Sequence, residues 1–488
     1  MFLQSGENQP LFALADFIEQ LERAGQLVRV PAEVNPELEI AAIARRVVGE
    51  GGPALFFENV RGCRVPVVTN LLGTSQRARM ALGGAAPDDV VERIERWLSP
   101  TPGTTAGWFN RLRGEGDPPT AHEPRVVRAG PVQQVVELGR DVDLNAWPAP
   151  RAWAVEARRS ITAGQLVTCS PSANVRSIES VAVEVLNRDR LGLAGDVHRR
   201  WRRTLAEHQA AGSSMPVALV LGCDPVLVMA ASPMASMFDP LLLAGLIADR
   251  PIDLVKCRTH DLHVPAEAEL VIEGTIDPSE PTIPAGPIAS ETGYAAPAGE
   301  LRVLRVAAIT YRLNPVFPAA AIGPPPSESS VVRDVVARWL RPLLKQTVPE
   351  LVDYDLGCQF GPRQFAVVSI RKTYPQQARR VLAAMWGLDW LMFTKLVVVV
   401  DEHVDVHDPK AVLRAVGANV DVDRDLVRWT GPAASDDHAA NDSRLGHRLG
   451  IDATAKLPEE AGNRWPARLT EAAEIIELLD RRWKEYFQ

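Results

Sequence analysis

The chain predicts an α+β protein of three domains, and three observations predict it. Near the N-terminus an amphipathic helical pattern leads into short apolar runs; between about residues 125 and 320 β-branched runs dominate; after residue 326 helical and strand patterns alternate. At 488 residues the length matches about three units on a ~150-residue prior. With 46% apolar residues, the chain can bury substantial cores.

The first domain is read as 1–120. Its apolar residues in 12–25 recur at helical spacing, and ALFF (54–57) and VPVV (65–68) follow as strands of a small α/β unit. SPTPGTTAGW (99–108) and GEGDPPTAHEP (114–124) break the pattern and read as a linker. The second domain, 121–325, holds strand-like runs at 181–185, 217–221, 270–272 and 306–309, and ends near Gly323-Pro324-Pro325-Pro326. The third, 326–488, opens on helical spacing through VVRDVVARWLRPLLKQ (331–346) and continues with strands at 365–370 and 396–400. The polar stretch GPAASDDHAANDSRLG (431–446) reads as a mobile surface loop. Its Asp436-Asp437-His438 has a metal-like composition, yet fits a solvated loop better.

Composition narrows the function classes. A net charge of -8 gives no footprint for nucleic acid, and no run approaches the ~18 apolar residues of a membrane span. The run Arg199-Arg200-Trp201-Arg202-Arg203 reads as a solvated helix face. MFLQSGENQPLF lacks the basic and apolar regions of a secretory signal, so the expected compartment is the cytoplasm. Five widely spread cysteines form no C-x-x-C pair and read as reduced, mostly buried thiols.

Residues 273–294, EGTIDPSEPTIPAGPIASETGY, carry the sharpest functional signal. Around them stand GGPALFFENVRG (51–62), VALVLGCDP (217–225), LLLAGLIADRPIDLVKCRTHDLHVPAEAELVIEG (241–274), IGPPPSE (322–328), LKQTVPELVDY (344–354), MFTKLVVVVDE (392–402) and GIDATAKLP (450–458). In order and spacing these blocks resemble the UbiD-type decarboxylases, whose loop reads roughly E-G-P-x-G-[DE]-x-T-G-Y. The resemblance implies a central split β-barrel, flavin-reductase-like, between α/β domains. It also implies prenylated FMN as cofactor, manganese with a nearby potassium at the flavin phosphate, and carboxy-lyase activity on an aromatic or α,β-unsaturated acid.

Carried over residue by residue, the resemblance exposes substitutions. Aligned without gaps, the family's N-x-G-x-Y-R pattern puts its Asn at Ser177 and its Arg at Ala182; a gapped version puts them at Asn174 and Glu179. The two loop acids fall at Ala285 and Ser290, with Glu291 one position beyond the second. The metal His matches His198; the metal Glu falls at Pro240, directly after Asp239; Lys395 matches a basic residue beside the cofactor. The candidates are therefore Glu291 and Glu184 for catalysis, Lys395, Ser177 and Pro287 for the cofactor, and His198 and Asp239 for metal.

Two readings follow. One is a carboxy-lyase whose usual Arg–Glu–Glu network is replaced, so that its mechanism is altered. The other is a catalytically degenerate homologue serving as a structural or regulatory subunit beside an active paralogue. Either forms a homo-oligomer, a dimer or a hexamer, through the C-terminal domain.

Overall fold

The computed structural model describes residues 13–98, 122–173, 175–296, 299–357, 364–435, 437–440, 445–462 and 464–487. Most of the predicted linker, together with Asn174, Cys358 and Asp436, lies outside them.

The first helix, Leu14–Arg23, buries Leu14, Phe17, Ile18 and Leu21, the i, i+3, i+4, i+7 stripe of an amphipathic helix. Strand β1 (Leu27–Val34) runs parallel to β2 (Ala54–Val60), and β2 pairs antiparallel with β3 (Val67–Thr69). Phe317–Pro318 joins β3 in parallel, so the chain completes its N-terminal sheet only after the middle of the protein has been built.

That middle is a closed six-stranded antiparallel barrel. Its strands are β4 (Ser160–Cys169), β5 (Arg176–Asn187), β6 (Arg190–Leu193), β7 (Met215–Leu221), β8 (Leu270–Ile276) and β9 (Glu300–Tyr311). They lie in the order β8-β7-β4-β5-β6-β9, with β9 returning onto β8. Period-two alternation sends Val181, Val183 and Val185 of β5 into one core with Leu166, Leu191, Leu219, Ile272 and Leu304. Each such side chain contributes about 1.5–3 kcal/mol on burial. Trp201, from the helix Arg200–Ala210, enters the same core with no exposed surface. At the bulge between Glu273 and Gly274, a Cβ on Gly274 would lie 2.1 Å from the Arg305 carbonyl oxygen, so the close approach of β8 to β9 requires glycine.

The C-terminal sheet contains β10 (Leu351–Asp355), β11 (Phe365–Ile370), β12 (Leu396–Asp401), β13 (Leu426–Pro432) and β14 (Leu445–Asp452), in the order β10-β11-β12-β14-β13. Its central strands are parallel and its edges antiparallel. Successive valines alternate between two cores: Val397 and Val399 pack with the helix Gln377–Gly387, Val398 and Val400 with Pro409–Asn419.

The helix Glu328–Trp339 ties the halves together. Val335, Val336 and Trp339 join the core around helices Pro87–Leu98 and Pro240–Ala248, and Ala337 joins the C-terminal core. The last helix, Ala473–Tyr486, buries none of its residues. No described helix is long and apolar enough to cross a membrane.

Candidate active site

The loop predicted to carry the acids folds as a hairpin pairing Ile288–Ala289 with Ala295–Ala296. Its turn is closed by Ser290 N donating to the Tyr294 carbonyl at 3.1 Å and Gly293 N donating to the Ser290 carbonyl at 3.2 Å. Gly293 sits at φ +83°, a left-handed conformation natural to glycine. The buried Ser290 hydroxyl accepts from Thr292 N at 3.2 Å, so the residue expected to replace the second family acid serves the turn. Ala285 is buried and carries no acid.

Glu291 leaves this turn toward the helix Glu328–Trp339, where Arg333 Nη1 donates to its Oε2 at 2.5 Å. The side chains are only 20% and 7% exposed. Arg333 Nε and Nη2, the two parallel donors of one guanidinium edge, are buried without a partner among the described residues. Arg333 was missed in the sequence, although one signal was present: a charge on the buried stripe of a helix that also buries Ser330, Val336 and Ala337.

A second pair lies on the barrel wall. Arg158 Nη1 donates to Glu184 Oε2 at 2.6 Å, while Glu184 Oε1 is buried and unpartnered among the described residues. Glu184 shares a face of β5 with the exposed Ala182, two residues earlier, so the Arg158 guanidinium lies on the same stretch of strand as Ala182, one of the two positions read for the family's Arg. Neighbouring Glu156 joins this wall to the hairpin. Its Oε2 accepts from Ala152 N at 2.9 Å and Trp153 N at 3.1 Å, and its Oε1 from Ala289 N at 3.3 Å. Trp153 Nε1 donates to the Ile322 carbonyl at 2.8 Å, drawing in the proline-rich segment. Neither Arg158 nor Glu156 stood out in the sequence.

His198 and Lys395 lie on the C-terminal-domain side of the barrel. His198 stacks edge-on against Phe393, with centroids 5.6 Å apart. Lys395 Nζ donates to both oxygens of Asp437 at 2.7 and 2.9 Å. Beside Asp437, His438 packs on Tyr294 of the hairpin, 4.4 Å between centroids, and links the two ends of the site. Of the stretch read as a mobile loop, Ala433 and Ala434 are buried, whereas Ser435, His438 and Ala439 are exposed. The Arg run also departs from a solvated face: Arg199 donates to the Ser180 carbonyl at 2.5 Å and Arg200 to the Phe238 carbonyl at 3.2 Å. Burial pushes the Arg200 guanidinium below its ordinary pKa.

Asp239 caps the helix Pro240–Ala248: its Oδ1 accepts from Leu241 N at 2.9 Å, and Pro240 takes the first helical position, where a missing N–H costs nothing. Its other oxygen lies 3.8 Å from Arg176 Nη2. Ser177 is buried with its hydroxyl unpartnered among the described residues, as is the hydroxyl of its cross-strand neighbour Thr168. Pro287 is half-buried and can offer packing alone. Among the described residues, His198 and Asp239 do not gather with a third His, Cys, Asp or Glu within ligand reach.

Three family models match this chain: the 3-octaprenyl-4-hydroxybenzoate carboxy-lyase N-terminal domain over residues 18–98, the Rift-related domain over 125–325 and the C-terminal domain over 331–453. An uncharacterized protein of Aquifex aeolicus is 35% identical over 96% of this chain and 97% of its own length. The chain belongs to the UbiD family. An uncharacterized protein of Archaeoglobus fulgidus is 34% identical over 97% of this UbiD chain and 98% of its own length. Among solved UbiD-like structures, vanillic acid decarboxylase from Sedimentibacter hydroxybenzoicus in closed form matches with a TM-score of 0.87 at 26% identity, over 98% of this chain and 100% of that one. The UbiD-class enzyme HmfF from Pelotomaculum thermopropionicum, in complex with FMN, matches with a TM-score of 0.75 at 28% identity, over 96% and 99%.

Proposed function

We propose that this UbiD-family chain is a carboxy-lyase acting on an aromatic or α,β-unsaturated carboxylic acid, with relocated Arg–carboxylate pairs in place of the usual network. The observation that carries the reading is the Glu291–Arg333 pair at the hairpin, short, largely buried and with an open guanidinium edge. Decarboxylation breaks a carbon–carbon bond, needs a place for the electron pair, and ends when an acid returns a proton to carbon. Prenylated FMN, when bound, supplies the electron sink. Glu291 is the proton carrier in this scheme and Arg333 fixes its position; Arg158 and Glu184 orient charge on the facing wall.

The residues fit the phosphate of such a flavin better than they fit its family metals. Arg176, with a buried Nε unpartnered among the described residues, the half-buried Arg200 and Lys395 offer positive charge. The metal donors amount to one imidazole and one helix-capping carboxylate, a poor set for a hard divalent ion. Arg176, Arg200 and Lys395 would therefore hold the phosphate directly.

The test is protein coexpressed with a flavin prenyltransferase and assayed for CO2 release from a panel of aromatic and conjugated acids. Turnover that collapses in Glu291→Gln supports the reading; full activity in that variant moves the role to Glu184. A second reading draws on the Sedimentibacter protein, one form of which was solved with truncated ShVdcD. Here the chain works with a partner subunit. Inactive wild type that gains turnover with a copurified partner would favour it. Self-association is also proposed, because the unpacked helix Ala473–Tyr486 exposes Ile475, Ile476, Trp483 and Tyr486; light scattering that finds a monomer at micromolar concentration removes it.

A further inference from the structure

Away from the hairpin, an antiparallel ribbon of Asp253–Lys256 and His263–Pro265 turns through residues 257–262, with Cys257 N donating to the Leu262 carbonyl at 2.8 Å. Beneath the turn lies Glu273 of β8, with no exposed surface. Its Oε2 accepts from Thr259 N and Thr259 Oγ1, both at 2.8 Å, and its Oε1 accepts only from Arg258 N, at 2.9 Å. One lone pair of Oε1 is thus uncommitted.

His260 completes the arrangement. Its Nε2 lies 3.0 Å from the Val217 carbonyl oxygen, which can only accept, so Nε2 carries the hydrogen. Nδ1 then presents a lone pair, and Nδ1 is buried without a partner among the described residues. Sulfur of Cys257, ring nitrogen of His260 and carboxylate oxygen of Glu273 all lie within 4.8 Å of one another. Without a ligand, this polar nitrogen is left unsatisfied in the interior, at a cost of about 1–3 kcal/mol.

We infer that Cys257, His260 and Glu273 form a binding site for a thiophilic divalent cation, with zinc as the best match. Three protein ligands of the S, N, O kind leave a fourth tetrahedral position for water, a pattern zinc accepts readily. Donation of Nε2–H to a backbone carbonyl leaves Nδ1 as the nitrogen free to ligate, the tautomer arrangement that metal-bound histidines use. Zinc takes bonds of about 2.3 Å to sulfur and about 2.0 Å to nitrogen, so the donors would draw together around it. Binding exchanges the thiol proton for the metal. A surface groove lined by Val127, Arg128, Gln133, Lys256 and Arg258 includes Cys257 in its wall. Bound metal would pin the ribbon to the barrel wall at the bulge that opens the 273–294 segment. The site uses none of the flavin-side candidates.

The experiment is cobalt titration of the dialysed full-length protein, followed by absorbance, with zinc content measured by elemental mass spectrometry. About one equivalent of bound metal is expected, with a thiolate-to-cobalt charge-transfer band. The band should vanish in Cys257→Ser and persist in His198→Ala, which separates this site from any ion near the flavin phosphate. His260→Ala should weaken binding at least tenfold. Circular dichroism of Cys257→Ser, a near-isosteric change, verifies folding. Cobalt bound without a thiolate band, a band that survives in folded Cys257→Ser, or no metal on folded wild type would each overturn the assignment, whatever the protein's decarboxylase activity.

Discussion

At the hairpin end of the candidate site, Glu291 and Glu184 each give one oxygen to a guanidinium, at 2.5 and 2.6 Å, and unused hydrogen-bonding atoms remain buried beside them. At the His198 end the acids are consumed. Asp239 caps a helix, and Asp437 gives both oxygens to Lys395. The contrast teaches which acids retain chemical capacity. A carboxylate with a free lone pair, locked by one charge-assisted bond, is positioned for proton transfer or substrate contact; one that satisfies a helix terminus or a bidentate partner is holding structure.

The largest effect should break or establish that contrast. Glu291→Gln nearly conserves volume and removes the proton-carrying group, so kcat of the flavin-loaded enzyme should fall by about 10²–10⁴-fold with KM little changed. Glu184→Gln should cost less, about tenfold, if Glu184 orients charge without carrying the proton. Steady-state kinetics on one accepted acid decides the order. Equal losses would make the two pairs a single unit, and no loss in either would place the chemistry elsewhere.

How much of this was legible before the structure depends on whether a feature is local. The runs at 181–185, 217–221, 270–272 and 306–309 all became barrel strands, because β-branched runs between turn residues carry their own preference. The block order identified the family for the same reason. The partners of the acids were hidden: Glu291 meets a residue 42 positions away and Glu184 one 26 positions away, and neither pairing follows from spacing. Arg199 and Arg200 were read as solvated because charge usually is, yet the carbonyls of Ser180 and Phe238 recruit them as donors. Asp239-Pro240 had a local signal, the helix-starting Asp–Pro pair, which the expected metal role obscured.

Stability sharpens the comparison next. Arg333→Met leaves Glu291 as a mostly buried charge without its partner and should destabilise the protein by about 3–5 kcal/mol, read as a lowered denaturant midpoint. At the opposite end, Asp239→Ala removes a cap and should cost about 1 kcal/mol, with turnover within a few-fold of wild type. A loss of activity in Asp239→Ala well beyond its effect on stability would show that the His198 end takes a more direct part than helix capping.

The smallest effect comes from a third charge cluster, remote from the hairpin, and serves as the control. His407 lies between Asp353, 3.2 Å from its Nε2, and Asp355, 3.3 Å from its Nδ1. Hydrogen bonds to Asp353 and then Asp355 push its pKa up to about 10, against an unfolded value near 6.5. A raised folded pKa means that the stabilisation is complete below about pH 6.5 and is lost as pH rises toward about 10. Because the imidazole is 38% exposed, solvent screening reduces its worth to about 1 kcal/mol or less. The melting temperature of wild type should exceed that of His407→Gln by the widest margin near pH 6, and the margin should shrink through pH 8 and close near pH 10. A margin independent of pH would mean that His407 acts through packing alone. Turnover at fixed pH should not distinguish the two proteins, since His407 belongs to neither end of the candidate site.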